Sequence, residues 1–172
     1  MLGPEKGLVE CGKRYKGKSM TLAYWRDSCK LNHPEIDREH RHLLQLLEEL
    51  YRSVLLDHHE DLIQAALDTL FSVTMEHCET EEALMEVFRY PEQASHTDQH
   101  QDLLGLILNY RLTLEQGLRP LTLDDVHHLA TWLTIHVATY DLRMVQFVQR
   151  QQKHDGAAIT QEVNHHLFTM AC

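Results

Sequence analysis

The chain has 172 residues, the length of one domain, with 43% hydrophobic and 24% charged residues, enough to bury a core without disulfide or metal staples. Sixteen Lys and Arg against 26 Asp and Glu give a net charge of −10, and an acidic body repels phosphate backbones, which argues against nucleic-acid binding. Only 7 Gly and 4 Pro speak against an all-β chain, whereas 14 histidines call for either a metal site or a surface habit.

Residues 1–19 read as a polar, flexible extension, with Met20 a possible native start. Basic Lys6, Lys13, Arg14, Lys16 and Lys18 are not followed by the apolar stretch of a secretory signal. No apolar run reaches the ~18 residues of a membrane helix. Cys11, Cys29, Cys78 and Cys172 lack CxxC spacing, so no disulfide framework or zinc knuckle is expected, and the cytoplasm is the expected compartment.

The first helix is predicted from Pro34, which suits a first helical position, to about Asp57–His59. Its apolar stripe is Ile36, Leu43, Leu44, Leu47, Leu50, Tyr51 and Val54, at helical spacing. Asp37 reads as a first-turn partner of the helix dipole. The second runs from about Glu60 to Phe88, with Leu62, Ile63, Ala66, Leu67, Leu70, Phe71 and Thr74 inside and Pro91 as terminator. The third spans about Gln93 to Gln116 on Leu103, Leu104, Ile107, Leu108, Leu112 and Leu114, with Gly117 as its cap. The fourth opens at Thr122, with Asp125 completing a variant capping box. It carries Val126, Leu129, Leu133, His136, Val137, Tyr140, Met144 and Phe147 and fades near Lys153. Residues 20–153 therefore predict an all-α, antiparallel up-down-up-down four-helix bundle, and 154–172 a tail or short helix.

His77 and Glu81 are four apart, as are His96 and His100, so each pair shares a helix face. Alone, the first pair reads more readily as solvated beside Glu76, Glu79 and Glu82, and the second is balanced between a metal clamp and two exposed rings. His136 sits in an apolar setting, but Asp141 follows five residues on. At ~100° per residue the two face about 140° apart, so a shared centre predicts a π-bulge between them. His40 lies at the edge of the first stripe. The conjunction decides: each of four helices brings a His to its inner stripe, and two add a carboxylate. Inward His and carboxylate ligands are how bundles build di-iron sites. Five imidazoles, two bridging carboxylates and one oxo or hydroxo bridge fill all but one position of two six-coordinate ions, and this donor set suits iron or manganese.

These residues resemble the hemerythrin family, and within it the bacterial single-domain hemerythrins. The matching stretches are Trp25 with His33-Pro34-Glu35-Ile36-Asp37-Arg38-Glu39-His40, His77-Cys78-Glu79-Thr80-Glu81 with Leu84-Met85, His96-Thr97-Asp98-Gln99-His100, and Trp132-Leu133-Thr134-Ile135-His136-Val137 with Asp141. The resemblance covers about residues 20–150. It implies two non-heme, oxo- or hydroxo-bridged irons. His96, His100 and His136 would hold one, His40 and His77 the other, with Glu81 and Asp141 bridging. It implies dioxygen as the ligand, taken up at the open position beside His40 and His77, and a carrier rather than an enzyme. An oxygen, nitric oxide or redox sensor and a peroxidase-type redox enzyme stand as alternatives, and a protein partner or homo-oligomer stays open. Leu43, Leu47, Cys78, Trp132 and Leu133 are expected to line a dry oxygen pocket, although plain core packing accounts for them equally. Cys78 departs from the family, which often has an aromatic there. The thiol would widen access, act as a redox group, or be inert.

Overall fold

The computed structural model describes residues 30–153. The helices are α1 (Pro34–Leu55), α2 (Glu60–Val87), α3 (Gln93–Glu115), α4 (Leu123–His136) and α5 (142–153), with a π-helical turn, Val137–Asp141, joining α4 to α5 as one interrupted rod. Neighbouring rods pack in chain order and α4 closes on α1, so the four-helix bundle is as expected. The proposed extensions, 1–19 and 154–172, lie outside the described residues.

Local chemistry sets each boundary. His33 caps α1, its Nδ1 accepting from the Ile36 N–H at 3.5 Å, and Pro34 follows where its missing N–H is harmless. Thr122 and Asp125 form the expected capping box at α4, and Arg119 grips the Asp125 carboxylate at 2.6 and 3.0 Å. The first three rods end in the same way. His58, Tyr90 and Leu118 each donate a backbone N–H five residues back, at 3.0, 2.8 and 3.1 Å. The preceding residues, Asp57, Arg89 and Gly117, sit at φ of 53°, 51° and 63°. This is the Schellman closure, which favours glycine, and only one of the three sites has it.

Asp37 does more than meet the helix dipole. Its carboxylate is buried and accepts the N–H groups of Leu31 (2.7 Å) and Asn32 (3.1 Å). The Gln149 amide donates to the carbonyls of the same two residues, pinning α5 to the entry of α1. Two predicted core positions are wrong: Leu62 is 58% exposed and Leu112 40%. Leu62 sits one residue off buried Ile63, and Leu112 lies between buried Tyr110 and Leu114, two residues from each. In α5, Val145 and Val148 join Met144 in the core.

Candidate metal centre

His40, His77, Glu81, His96, His100, His136 and Asp141 are all buried and come together inside the bundle. The first five side chains arrive on regular helical stripes. The last two depend on the π-turn, which supplies the extra residue and swings Asp141 onto the face of His136, as the five-residue spacing required. Asp141 Oδ1 then lies 2.9 Å from His136 Nε2 and 3.1 Å from His96 Nε2, while Oδ2 lies 3.0 Å from His40 Nε2. Glu81 divides in the same sense. Its Oε2 is 3.2 Å from His100 Nε2 and 3.3 Å from His96 Nε2, and its Oε1 is 3.8 Å from His77 Nε2 and 3.9 Å from His40 Nε2.

The donor atoms therefore form two groups. One joins His96, His100 and His136, the other His40 and His77, and Glu81 and Asp141 belong to both. Within each, the atoms lie within 4.8 Å of one another. Many of these close approaches are not aligned as hydrogen bonds: His40 Nε2, His77 Nε2, Glu81 Oε1 and both Asp141 oxygens are buried without a hydrogen-bond partner. Unpartnered buried polar atoms are costly, and cations between them would satisfy them at once. A pair of metal ions fits this donor set, and imidazole with carboxylate suits iron.

The charges show the same need. Burial favours the neutral form of every group here, yet the mutual attraction of carboxylates and imidazoles outweighs it. Burial pushes His96 down, but the Asp141 and Glu81 carboxylates beside it carry it up to about 9. His100 is likewise raised to about 10 against its burial, by Cys78 and Glu81, and His77 is raised by Glu81 and Glu39. Burial and Asp141 push Glu81 up, but His77, His100 and His96 bring it down to about 2. Asp141 is held well below its usual range, against burial, chiefly by His136. Without metal, protons on the imidazoles balance the two carboxylates.

Two outer carboxylates orient the rings. Nδ1 of His77 donates to Glu39 Oε2 at 3.0 Å, and Nδ1 of His100 donates to Glu82 Oε1 at 3.0 Å. A proton fixed on Nδ1 leaves the Nε2 lone pair for the centre. The sequence suggested solvation for Glu82 and no part in the centre for Glu39, since neither contact is visible within one helix. His136 has no such partner. Its ring lies flat between Trp132 (centroids 4.8 Å, planes 16° apart) and Tyr140 (5.3 Å, 13°).

One helical turn from this layer lies a small cavity of about 10 Å³, room for one water-sized molecule. Leu43, Thr74, Leu103 and Leu133 line its near side, each three residues from His40, His77, His100 or His136. Leu47, Leu70, Ile107 and Leu129, each seven residues from the same histidines, line the far side. Of the residues expected in an oxygen pocket, Leu43, Leu47 and Leu133 line this cavity and Cys78 and Trp132 do not: Trp132 stacks on His136, and Cys78 is placed beside His100. Burial pushes the Cys78 thiol up, against the pull of His100.

Residues 33–148 match the hemerythrin HHE cation binding domain. This chain belongs to that family. It is 27% identical over 123 residues to the bacteriohemerythrin of Stenotrophomonas maltophilia (strain R551-3), covering 69% of this chain and 76% of the relative. Myohemerythrin-1 of Phascolopsis gouldii is also 27% identical, over 120 residues, covering 69% of this chain and 88% of that protein. A crystal structure of a hemerythrin mutant superposes with a TM-score of 0.70 at 19% identity, covering 74% of this chain and 98% of that one, a likeness of fold. The cofactor of this family domain is a non-heme di-iron centre. No helix among the described residues is long and apolar enough to cross a membrane.

Proposed function

We propose that the chain binds dioxygen reversibly, for storage, delivery or buffering, at a di-iron centre held by His40, His77, Glu81, His96, His100, His136 and Asp141. The observation that carries this reading is the unequal split of imidazoles, three on one side and two on the other, about two shared carboxylates. With equal coordination numbers, the side of His40 and His77 keeps a position for an external ligand. When bound, the iron pair supplies electrons to dioxygen and recovers them on release.

The protein's own part is to hold that position and keep it dry. Glu39 fixes His77, and His40 packs edge-on to it with ring centroids 4.7 Å apart. The leucines below, Leu43, Leu47 and Leu133, exclude water and offer a small apolar molecule room next to the centre. We read the site as a carrier's because the open position stands beside a dry, leucine-lined cavity.

The test is anaerobic loading with ferrous ion, then exposure to air and to argon. A visible charge-transfer band that rises with air and disappears under argon, over several cycles, is the expected result. A single irreversible conversion to a ferric spectrum refutes reversible carriage and favours a sensor or redox enzyme.

A further inference from the structure

The turn from α2 to α3 and the facing side of α5 enclose a cleft of about 200 Å³ that the metal centre does not use. Its floor is aromatic: the rings of Tyr90 and Phe147 meet edge to face at 5.3 Å, with Pro91 beside them. Its wall is one face of α5. Arg143, Gln146 and Arg150 follow at spacings of three and four, so all three side chains reach the same cleft. In a chain of net charge −10, two arginines here face a single carboxylate, that of Glu92.

Glu92 already shows what this cleft attracts. Its Oε2 accepts from the Tyr90 hydroxyl at 3.4 Å and lies 3.8 Å from Arg143 Nη1. Both distances exceed the ~2.7–2.9 Å of a well-made charge-assisted hydrogen bond. The Glu92 side chain is 54% exposed and makes no capping bond to α3, so it can leave for solvent at little cost. Burial and the neighbouring Glu92 carboxylate push the Tyr90 phenol up to about 12, against the pull of Arg143 and Arg150, and the hydroxyl remains a donor. The cleft therefore combines three donors for an oxyanion, two of them cationic, with an apolar floor. One carboxylate between two arginines is a poor cation site, and inorganic phosphate would leave the aromatic floor unused.

We propose that this cleft binds a small aromatic carboxylate, its oxygens held by Arg143 and Arg150 and its ring laid against Tyr90, Pro91 and Phe147. The incoming carboxylate takes over the donors that Glu92 holds loosely. The site stands close in sequence to two ligand-bearing segments: Glu92 is the N-cap of α3, which carries His96 and His100, and Arg143 comes two residues after Asp141.

Titration of the full-length, iron-loaded protein with benzoate, followed by calorimetry, tests this, with neutral benzamide and inorganic phosphate as controls. Expected are saturable one-to-one binding of benzoate and at least about tenfold weaker binding of benzamide and phosphate. The Arg143→Gln/Arg150→Gln double variant should lose about tenfold or more with iron content and helical circular dichroism unchanged. Gln146→Trp, at an exposed position, fills the cleft without touching the charges and should abolish benzoate binding, which keeps the test open if the double variant misfolds. A benzoate titration that never saturates, a double variant within twofold of wild type, or benzamide or phosphate binding as tightly as benzoate would overturn the proposal.

Discussion

Glu39→Ala removes the acceptor for two donors, the His77 Nδ1 proton at 3.0 Å and the Thr80 hydroxyl at 3.3 Å. Thr80 keeps a second acceptor, the Glu76 carbonyl at 3.1 Å, so only His77 is orphaned. His77 is 3% exposed and water cannot easily replace the lost partner. A buried donor left unpaired costs about 1–3 kcal/mol. Loss of an outer-shell partner typically weakens a metal site about 10–100-fold, or about 1.4–2.7 kcal/mol, and the two figures agree. The cost should fall on one ion only, because His77 belongs to the two-imidazole group and not to the other. Glu82→Ala is the mirror experiment at His100. It should cost less, since the Glu82 side chain is 37% exposed against 20% for Glu39 and water can take its place. Anaerobic titration of metal-free protein with ferrous ion against a chromogenic chelator reads both constants. Glu39→Ala should keep one tight ion and weaken the second by at least tenfold. Two constants within twofold of wild type, or equal weakening of both, would refute the assignment of Glu39 to one side of the centre.

Three further outcomes are expected. Leu47 is 2% exposed and already borders a void, so Leu47→Ala enlarges it and should cost about 3–5 kcal/mol in urea unfolding; a loss below about 1 kcal/mol would contradict the packing described. His77, His96 and His100 carry raised pKa values, burial being outweighed by the carboxylates and, at His100, by Cys78 as well, so in metal-free protein at neutral pH they hold protons that coordination must expel. Metal affinity should therefore fall as pH falls, with up to three protons released per loaded protein in calorimetry across buffers of different ionisation enthalpy; no release counts against these histidines as ligands. Asp125 is lowered to about 2 because Arg119 and Thr122 outweigh its burial, so its contribution is present above its unfolded value near 3.8 and is lost as pH falls toward 2. Asp125→Asn should flatten that part of the acid-unfolding curve, by no more than about 1 kcal/mol because water screens the pair, and an unaltered acid limb would show that the capping box contributes nothing.

The fold was legible because punctuation and periodicity agree. Pro34, Pro91, Gly117 and Thr122 mark the boundaries the helices adopt. The π-turn was legible for a different reason: the five-residue spacing of His136 and Asp141 is incompatible with a shared centre on a regular helix, so demanding the centre demanded the turn. Arg89 and Asp57 show the converse. Nothing about an arginine announces a left-handed helix end, and tertiary closure imposes it there. Leu62 and Leu112 were misplaced because an apolar residue adjacent to a stripe reads the same as one on it. The contacts of Glu39 and Glu82 are invisible for a stricter reason: each reaches a histidine on another helix, and no periodicity within one helix encodes that.

The antiparallel arrangement turns one register into the whole site. In α1 and α3 the cavity residues lie three and seven positions after His40 and His100; in α2 and α4 they lie three and seven before His77 and His136. The sign alternates because the chain reverses direction, so the same side of the histidine layer is apolar on all four rods. Orientation of the rings then follows two routes. His77 and His100, one on each side of the centre, are fixed by carboxylates, which also make the imidazole a more basic ligand. The Nδ1 atoms of His40, His96 and His136 have no hydrogen-bond partner. Packing must hold those rings: His136 lies flat between Trp132 and Tyr140, His96 stands edge-on to His100 and His136, and His40 stands edge-on to His77. Each group of donors thus combines one imidazole fixed by an outer carboxylate with others whose Nδ1 side is held by packing. That makes the centre's geometry a property of the bundle's packing as much as of its polar bonds.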